Sequence, residues 1–344
     1  MSAHFSLRIA RAAVLWFAAS AALSATVARA DLLVSDYTSG KILRYDQTTG
    51  AFLGVLADIS QQSGGFAQAV GLQLGPDGRL WVSDQLNDKV LRYDLPSGAY
   101  HDTVISSDTA GPSDLQFSSD GNLYVANFNG GNPISQFSPT GAYLGSFTSG
   151  GIANGSPSGI FGPDGNLYVS DYQGGGGAQV IRYQGPSGAT PGALLDGGNG
   201  FTDPAHPMQG PTGMLFLPNG NLLVDSNSNS LIFEFDPTGA YITNFSTGTA
   251  TFPGSMLLGT DGSLWVAEEG AGGIYRYDLS AGNFGAPLGI FAFGGGLVVP
   301  SQMLLAAVPE PSTFVLGGLG LLGLALFWFA RRPAVLRGVG TAKS

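Results

Sequence analysis

Short apolar runs separated by glycine-rich polar turns recur along the middle of the chain. The clearest unit is Leu-x-Val followed by two small or polar residues. It appears as Leu32-Leu33-Val34-Ser35-Asp36, Leu80-Trp81-Val82-Ser83-Asp84, Leu123-Tyr124-Val125-Ala126-Asn127, Leu167-Tyr168-Val169-Ser170-Asp171, Leu222-Leu223-Val224-Asp225-Ser226 and Leu264-Trp265-Val266-Ala267-Glu268. The copies start 48, 43, 44, 55 and 42 residues apart, a period that marks a repeat architecture. Five copies closely follow a turn dipeptide: Asp77-Gly78, Asp120-Gly121, Asp164-Gly165, Asn219-Gly220 and Asp261-Gly262. Such a dipeptide between apolar runs predicts a β-hairpin, because Gly takes positive φ without a steric penalty. The upstream strands fall at 70–74, 113–117, 158–161, 212–216, 254–258 and 301–305.

A third strand follows in every unit, at 41–46, 89–94, 133–138, 179–184, 231–236 and 273–278. A second turn, centred on Gly50, Gly98, Gly141, Gly188, Gly239 or Gly282, leads to a fourth, edge strand. Each repeat is therefore a four-stranded antiparallel meander, which cannot bury both faces alone; radial stacking into a propeller solves that. The first Leu-x-Val strand has no hairpin partner before it, and strand 301–305 has none after it. Pairing the two closes the ring. The expected fold is all-β, a six-bladed β-propeller with four-stranded blades sealed by its N- and C-terminal strands. Tyr45, Tyr93, Phe137, Tyr183, Phe235 and Tyr277 recur once per blade and read as packing between sheets.

Composition agrees and adds charge. The 344 residues include 54 Gly, no Cys and only 38 charged side chains, 14 basic and 24 acidic, which argues against a helix-rich enzyme or a coiled coil. Seven of the basic residues lie at the two ends, Arg8, Arg11, Arg29, Arg331, Arg332, Arg337 and Lys343. The segment 31–310 holds the other seven against all 24 acidic residues, a net −17. Such a surface repels phosphate backbones and excludes nucleic acid as a partner, leaving cations and neutral ligands.

The ends read as processing segments. Residues 1–30 have the form of a Sec signal peptide: Arg8 and Arg11, an apolar run, then the small-x-small site Ala28-Arg29-Ala30. The mature chain then enters an oxidising compartment without disulfides, and a domain of this size can bury enough apolar surface to do so. At the other end Val308-Pro309-Glu310-Pro311 precedes an uncharged run, 314–330, and Arg331-Arg332. Seventeen helical residues reach about 25 Å, enough for a short membrane span with the arginines on the cytoplasmic side.

This order closely resembles the PEP-CTERM sorting signal of Gram-negative bacteria. The resemblance implies recognition of Pro309, Glu310 and Pro311 by an exosortase, an inner-membrane-anchored precursor, removal of the helix, and delivery to the cell surface or exopolysaccharide matrix. The expected organisation is a signal peptide at 1–30, the propeller at 31–307, the sorting signal at 308–333 with its transmembrane helix at 314–330, and a cytoplasmic tail at 334–344.

The repeats resemble NHL and gluconolactonase-like six-bladed propellers through Pro157-Ser158-Gly159, Pro211-Thr212-Gly213, the Pro-Asp-Gly turns at 76–78 and 163–165, and Leu167-Tyr168-Val169-Ser170-Asp171. That architecture hosts lactonases, lyases and binding modules, so it specifies a fold without a function. Innermost strands line a propeller's channel. Taking each Asp-Gly or Asn-Gly as a two-residue turn, Gly71 faces Asp84, Asp114 faces Asn127, Gly213 faces Ser226 and Ser255 faces Glu268, with the Asp164-Gly165 hairpin one residue shorter. One mouth is then expected to be ringed by Asp36, Asp84, Asp114, Asn127, Asp171, Asp225, Glu268 and Gln302.

Two chemistries fit that rim. It could hold Ca²⁺ or another divalent cation through its oxygens, or the strand-ending Asp and Asn could bond local amides and shape their loops. Recurrence at one place in four blades favours the second. The gluconolactonase resemblance implies metal ligands at positions occupied here by Gly71, Asp114, Gly159, Gly213, Ser255 and Gln302. One carboxylate among six is a poor cage. The lyase resemblance implies a channel His; His206, in the longest insertion, is the weak candidate for a base. The expected function is an exported module binding polysaccharide or protein, with a metal-dependent lactonase- or lyase-like enzyme as the alternative.

Overall fold

The computed structural model describes residues 30–129, 133–150, 155–172, 178–198, 200–248 and 251–307. The expected signal peptide with Ala28, the sorting signal with Pro309, Glu310, Pro311, Arg331, Arg332 and helix 314–330, and the tail 334–344 lie outside the described residues; Ala30 lies inside. No helix among the described residues is long and apolar enough to cross a membrane.

Strands run through the chain in sets. The first blade contains β1 (Ala30–Asp36), β2 (Lys41–Asp46) and β3 (Phe52–Asp58). The second contains β4 (Ala69–Leu74), β5 (Leu80–Asp84), β6 (Lys89–Asp94) and β7 (Ala99–Ile105), and the third β8 (Pro112–Phe117), β9 (Leu123–Asn127), β10 (Ile134–Phe137) and β11 (Tyr143–Ser146). The fourth has β12 (Gly159–Phe161), β13 (Leu167–Asp171) and β14 (Gln179–Tyr183). The fifth has β15 (Met214–Phe216), β16 (Leu222–Ser226), β17 (Leu231–Phe235) and β18 (Tyr241–Ser246). The sixth has β19 (Pro253–Leu258), β20 (Leu264–Glu268), β21 (Gly273–Tyr277) and β22 (Pro287–Phe293). The last strand, β23 (Pro300–Ala307), lies beside β1 and completes the first blade, so the fold is a six-bladed β-propeller closed by its terminal strands.

Five sheets are four-stranded, while the fourth has three strands and two isolated bridges, Tyr183↔Leu194 and Val180↔Phe201, where an edge strand was expected. A 3₁₀ turn at Asp196–Gly198 lies between the two bridges and interrupts the edge strand.

The hairpins turn through three residues rather than two. Gly78 N–H donates to the Gly75 carbonyl and Gly75 N–H to that of Arg79; the same pair of bonds closes the turns at Gly121, Gly165, Gly220 and Gly262. Each is a tight turn followed by Gly in the left-handed region, φ +76° at Gly78. The register therefore differs by one from the expected one: Leu72 faces Val82, Asp114 faces Ala126 and Met214 faces Val224. The fourth hairpin shares this register, with Gly159 facing Val169, and has no missing residue. Nearer the mouth, three hairpins slip once more through a bulge, so that Ala69 meets Asp84, Pro112 meets Asn127 and Pro253 meets Glu268.

Blades bury their faces against each other. Leu32, Val34, Leu43 and Tyr45 of the first pack on Trp265, Ile274 and Phe291 of the sixth, and comparable clusters lie between the second and third, third and fourth, fourth and fifth, and fifth and sixth. The six once-per-blade aromatics are all buried. In four blades the tyrosine hydroxyl also holds the crossover entering its own blade: Tyr45 donates to the Gly294 carbonyl (2.7 Å), Tyr93 to Gln62 Oε1 (2.9 Å), Tyr183 to the Gly150 carbonyl (2.6 Å) and Tyr277 to the Thr247 carbonyl (3.2 Å).

Between third and fourth strands, one glycine per blade lies flat against the preceding blade. A Cβ on Gly50 would lie 1.7 Å from the Phe291 carbonyl oxygen, on Gly98 1.9 Å from that of Leu56, on Gly141 2.2 Å from that of Val104, and on Gly192 1.8 Å from that of Phe147. Gly239 and Gly285 meet the rings of Phe201 and Phe245 in the same way. In the fourth and sixth blades Gly192 and Gly285 thus take the place expected of Gly188 and Gly282. Gly98→Ala should cost more than about 3 kcal/mol, since the neighbouring backbone must move, whereas Gly78→Ala, with open space around it, should cost about 1 kcal/mol for its positive φ alone. Denaturant midpoints compare the two directly, and equal losses would show that the blades do not depend on this approach.

Candidate functional site

The inner strands of all six blades line a central cavity of about 780 Å³. Leu72, Ile160, Met214, Met256 and Met303 make part of its wall apolar. At the mouth stand Tyr37, Gln85, Phe128, Tyr172, Asn227 and Glu269, one from each blade and each directly following the last residue of its Leu-x-Val strand. Blade faces look at neighbouring blades, so the strand's last side chain is packed between sheets. The next residue, leaving the strand, turns over the channel. Three of the six are aromatic, with Phe128 and Tyr172 edge to face at 5.5 Å.

Of the eight residues expected at the mouth, only Asp114 and Gln302 line the cavity. The others are occupied elsewhere. Asp36 accepts from Ser39 N–H (2.7 Å), Val298 N–H (2.6 Å) and Val299 N–H (2.8 Å), which anchors the approach to β23. Asp84 accepts from the Ser63 hydroxyl, Gln68 N–H (3.1 Å) and Asn87 Nδ2 (2.8 Å). Asn127 accepts from Ala110 N–H and donates to Ser135 Oγ, both at 3.0 Å. Asp225 takes Thr212 N–H (2.6 Å) and Gly213 N–H (2.7 Å), and complete burial raises its pKa well above the usual carboxylate range. Asp171 is buried at the end of β13, beside residues 173–177 outside the described range.

Asp114 and Gln302 form a strut across the channel wall. Gln302 Nε2 donates to Asp114 Oδ1 (3.0 Å) while its Oε1 accepts the Leu72 N–H, so the side chain passes over the second blade to reach the third. It crosses where Gly71 has no side chain; a Cβ there would stand 2.8 Å from the Ser113 carbonyl. Asp114 continues the chain by accepting from Ser158 Oγ at 2.8 Å, reaching the fourth blade. Burial raises its pKa, against the pull of these donors.

Two adjacent carboxyls behave differently from the rest. Glu268 is fully buried and accepts from the Tyr277 hydroxyl (3.0 Å) through Oε1, with the Thr247 and Thr251 hydroxyls beside it. Glu269 reaches into the cavity past Gly254, where a Cβ would lie 3.0 Å from its Oε1. Burial pushes both up to about 7, and the Asn227 side chain offsets part of this at Glu269. Sequence reasoning missed Glu269 and the five mouth residues equivalent to it. The signal was available: each follows the strand-ending residue by one.

His206 stacks on Tyr241 at 4.4 Å, on the outermost strand of the fifth blade, and its Nδ1 pairs with Asp203 at 2.8 Å. It does not line the cavity. Among the described residues no three His, Asp or Glu side chains are grouped to hold a metal ion, and the strand-end carboxylates accept amides and hydroxyls.

Residues 307–332 match the PEP-CTERM protein-sorting motif, a mark of exported proteins processed by an exosortase. No curated protein matches the chain significantly. Similar solved structures include a chain of the nidogen/laminin complex (14% identity, TM-score 0.61, covering 80% of this chain and 98% of that one). A catalytically inactive virginiamycin B lyase from Staphylococcus aureus with quinupristin is another (16%, 0.53, 83% and 95%). A third is a putative 6-phosphogluconolactonase from Bacteroides uniformis (20%, 0.54, 77% and 83%). At these identities the likeness is one of fold.

Asp36→Ala should cost about 3 kcal/mol in chemical denaturation by stranding three amides; an unchanged midpoint would mean the carboxylate is dispensable to ring closure. Because Glu268 and Glu269 bind protons more tightly folded than unfolded, the stability they lend is full below about pH 4.5 and is lost as pH rises through about 7. The melting temperature should therefore fall between pH 5.5 and 8, and Glu268→Gln should shrink that fall.

Proposed function

We propose that this chain is an exported propeller, sorted through an exosortase to the cell surface or extracellular matrix of a Gram-negative bacterium, where it works as a binding or structural module for a polysaccharide or a protein. The sorting half of this reading is supported by the motif at 307–332. The binding half is carried by the mouth: aromatic side chains from three blades and polar side chains from the other three stand over a partly apolar cavity of about 780 Å³, large enough for one sugar residue or a short peptide segment.

Aromatic rings supply large contact area with little conformational freedom to lose, and the amides of Gln85 and Asn227 supply adaptable hydrogen bonding beside them. These six side chains are only half-buried or at the edge of burial, whereas the strand-end residues beneath them hold the loops that present them. Structure and display are thus divided between consecutive residues. The strand-end carboxylates accept the fold's own amides, which favours the binding reading over a metal-dependent enzyme.

The test is retention of exopolysaccharide, purified from a Gram-negative biofilm, by immobilised protein. A Phe128→Ala/Tyr172→Ala double variant should weaken retention at least tenfold while its melting temperature changes little. Retention unaffected by the double variant would place binding away from the mouth and reject this assignment.

A further inference from the structure

Six residues converge on the mouth from six blades, and their charges are one-sided. Glu269 is the carboxyl among them; among the described residues no Lys, Arg or His side chain lines the cavity. The loop residues outside the described range, 130–132 and 173–177, contain no basic residue either. Lys41 and Lys89 begin third strands, two strands away from the channel, and do not line it. The arginines are held away as well: Arg44 pairs with Asp31, Arg79 with Asp94, Arg92 with Asp102, Arg182 with Asp196 and Arg276 with Asp261. Asp114, the other carboxyl in the wall, has its oxygens taken by Ser158, Gln302 and two backbone amides. That leaves Glu269 as the group whose charge a ligand can meet.

We infer that the mouth takes an ammonium group, carried on an apolar or ring-shaped body, with the Glu269 carboxylate opposite the charge and Tyr37, Phe128 and Tyr172 around its alkyl or ring face. The inference deepens the binding reading given above and rests on it. An ammonium group is attracted both by a carboxylate and by the negative face of an aromatic ring, and both attractions strengthen where water is excluded. The surrounding domain, with its net −17, raises the local concentration of any cation before contact. An anion would meet Glu269 with nothing in the lining to balance it. Room for the carboxyl is built in, since Gly254 leaves the space into which Glu269 Oε1 extends.

Three small probes sharing one ring decide the matter: phenethylammonium, 2-phenylethanol and phenylacetate, each titrated into the purified full-length protein at low ionic strength with binding read by ligand-observed NMR. Phenethylammonium should bind at least tenfold more tightly than 2-phenylethanol, and phenylacetate more weakly than either. Glu269→Gln should erase the preference for the ammonium while leaving 2-phenylethanol unchanged. On the unmodified protein the preference should grow from pH 6 to pH 8 as Glu269 ionises, with Glu268 and Asp225 the neighbouring acids that share its field. That arm needs no variant to fold. Equal binding of phenethylammonium and 2-phenylethanol overturns the inference while sparing the mouth as a site; tighter phenylacetate binding, or no binding by any probe, overturns it as well. Loss of exopolysaccharide retention in the double variant remains the separate test of the site itself.

Discussion

Everything in this fold depends on how closely one blade can approach the next. A four-stranded sheet has two faces to bury, and in a ring each face can be covered only by a neighbour. Here the approach is set at the outer turns, where Gly50, Gly98, Gly141 and Gly192 put backbone directly against the carbonyl of the preceding blade. At such distances any side chain would act as a spacer. The apolar clusters between blades, from Leu32 against Trp265 to Leu223 against Val266, form at the separation those glycines permit. The abundance of Gly is therefore a packing requirement as well as a turn requirement.

Repetition made the fold legible. Six copies of one strand, their turn dipeptides and the unmatched strands at both ends specify the blade number and the closure without reference to any contact. The fourth blade departed because a 3₁₀ turn at Asp196–Gly198 interrupts its edge strand between the two bridges. The site was legible only to within one residue. A three-residue turn with Gly in its last place looks in sequence like a two-residue one, and strand alternation converts that single step into the opposite face. Bulges at Ala69, Pro112 and Pro253 shift the register again near the mouth, where it matters most.

The same step separates two kinds of acidic residue. Asp36 and Asp84 end their strands and are consumed by loop amides; Glu269, one place further on, faces the cavity. Asp225, one place earlier than its counterparts, holds Thr212 and Gly213 at the start of an inner strand. Counting carboxylates around the rim does not distinguish these roles, because the distinction lies in which atoms the backbone already presents to each one.

Ring closure also has a direction in time. β1, built from the first described residues, lies between β2 and β23, and β23 is the last strand of the domain, contiguous with the sorting motif that begins at 307. A chain made and delivered from its N-terminus must hold β1 with one bare edge until that final strand arrives, and contacts of such long sequence separation are slow to form. Whatever delays residues 300–307 therefore leaves a nearly finished propeller open at its seam.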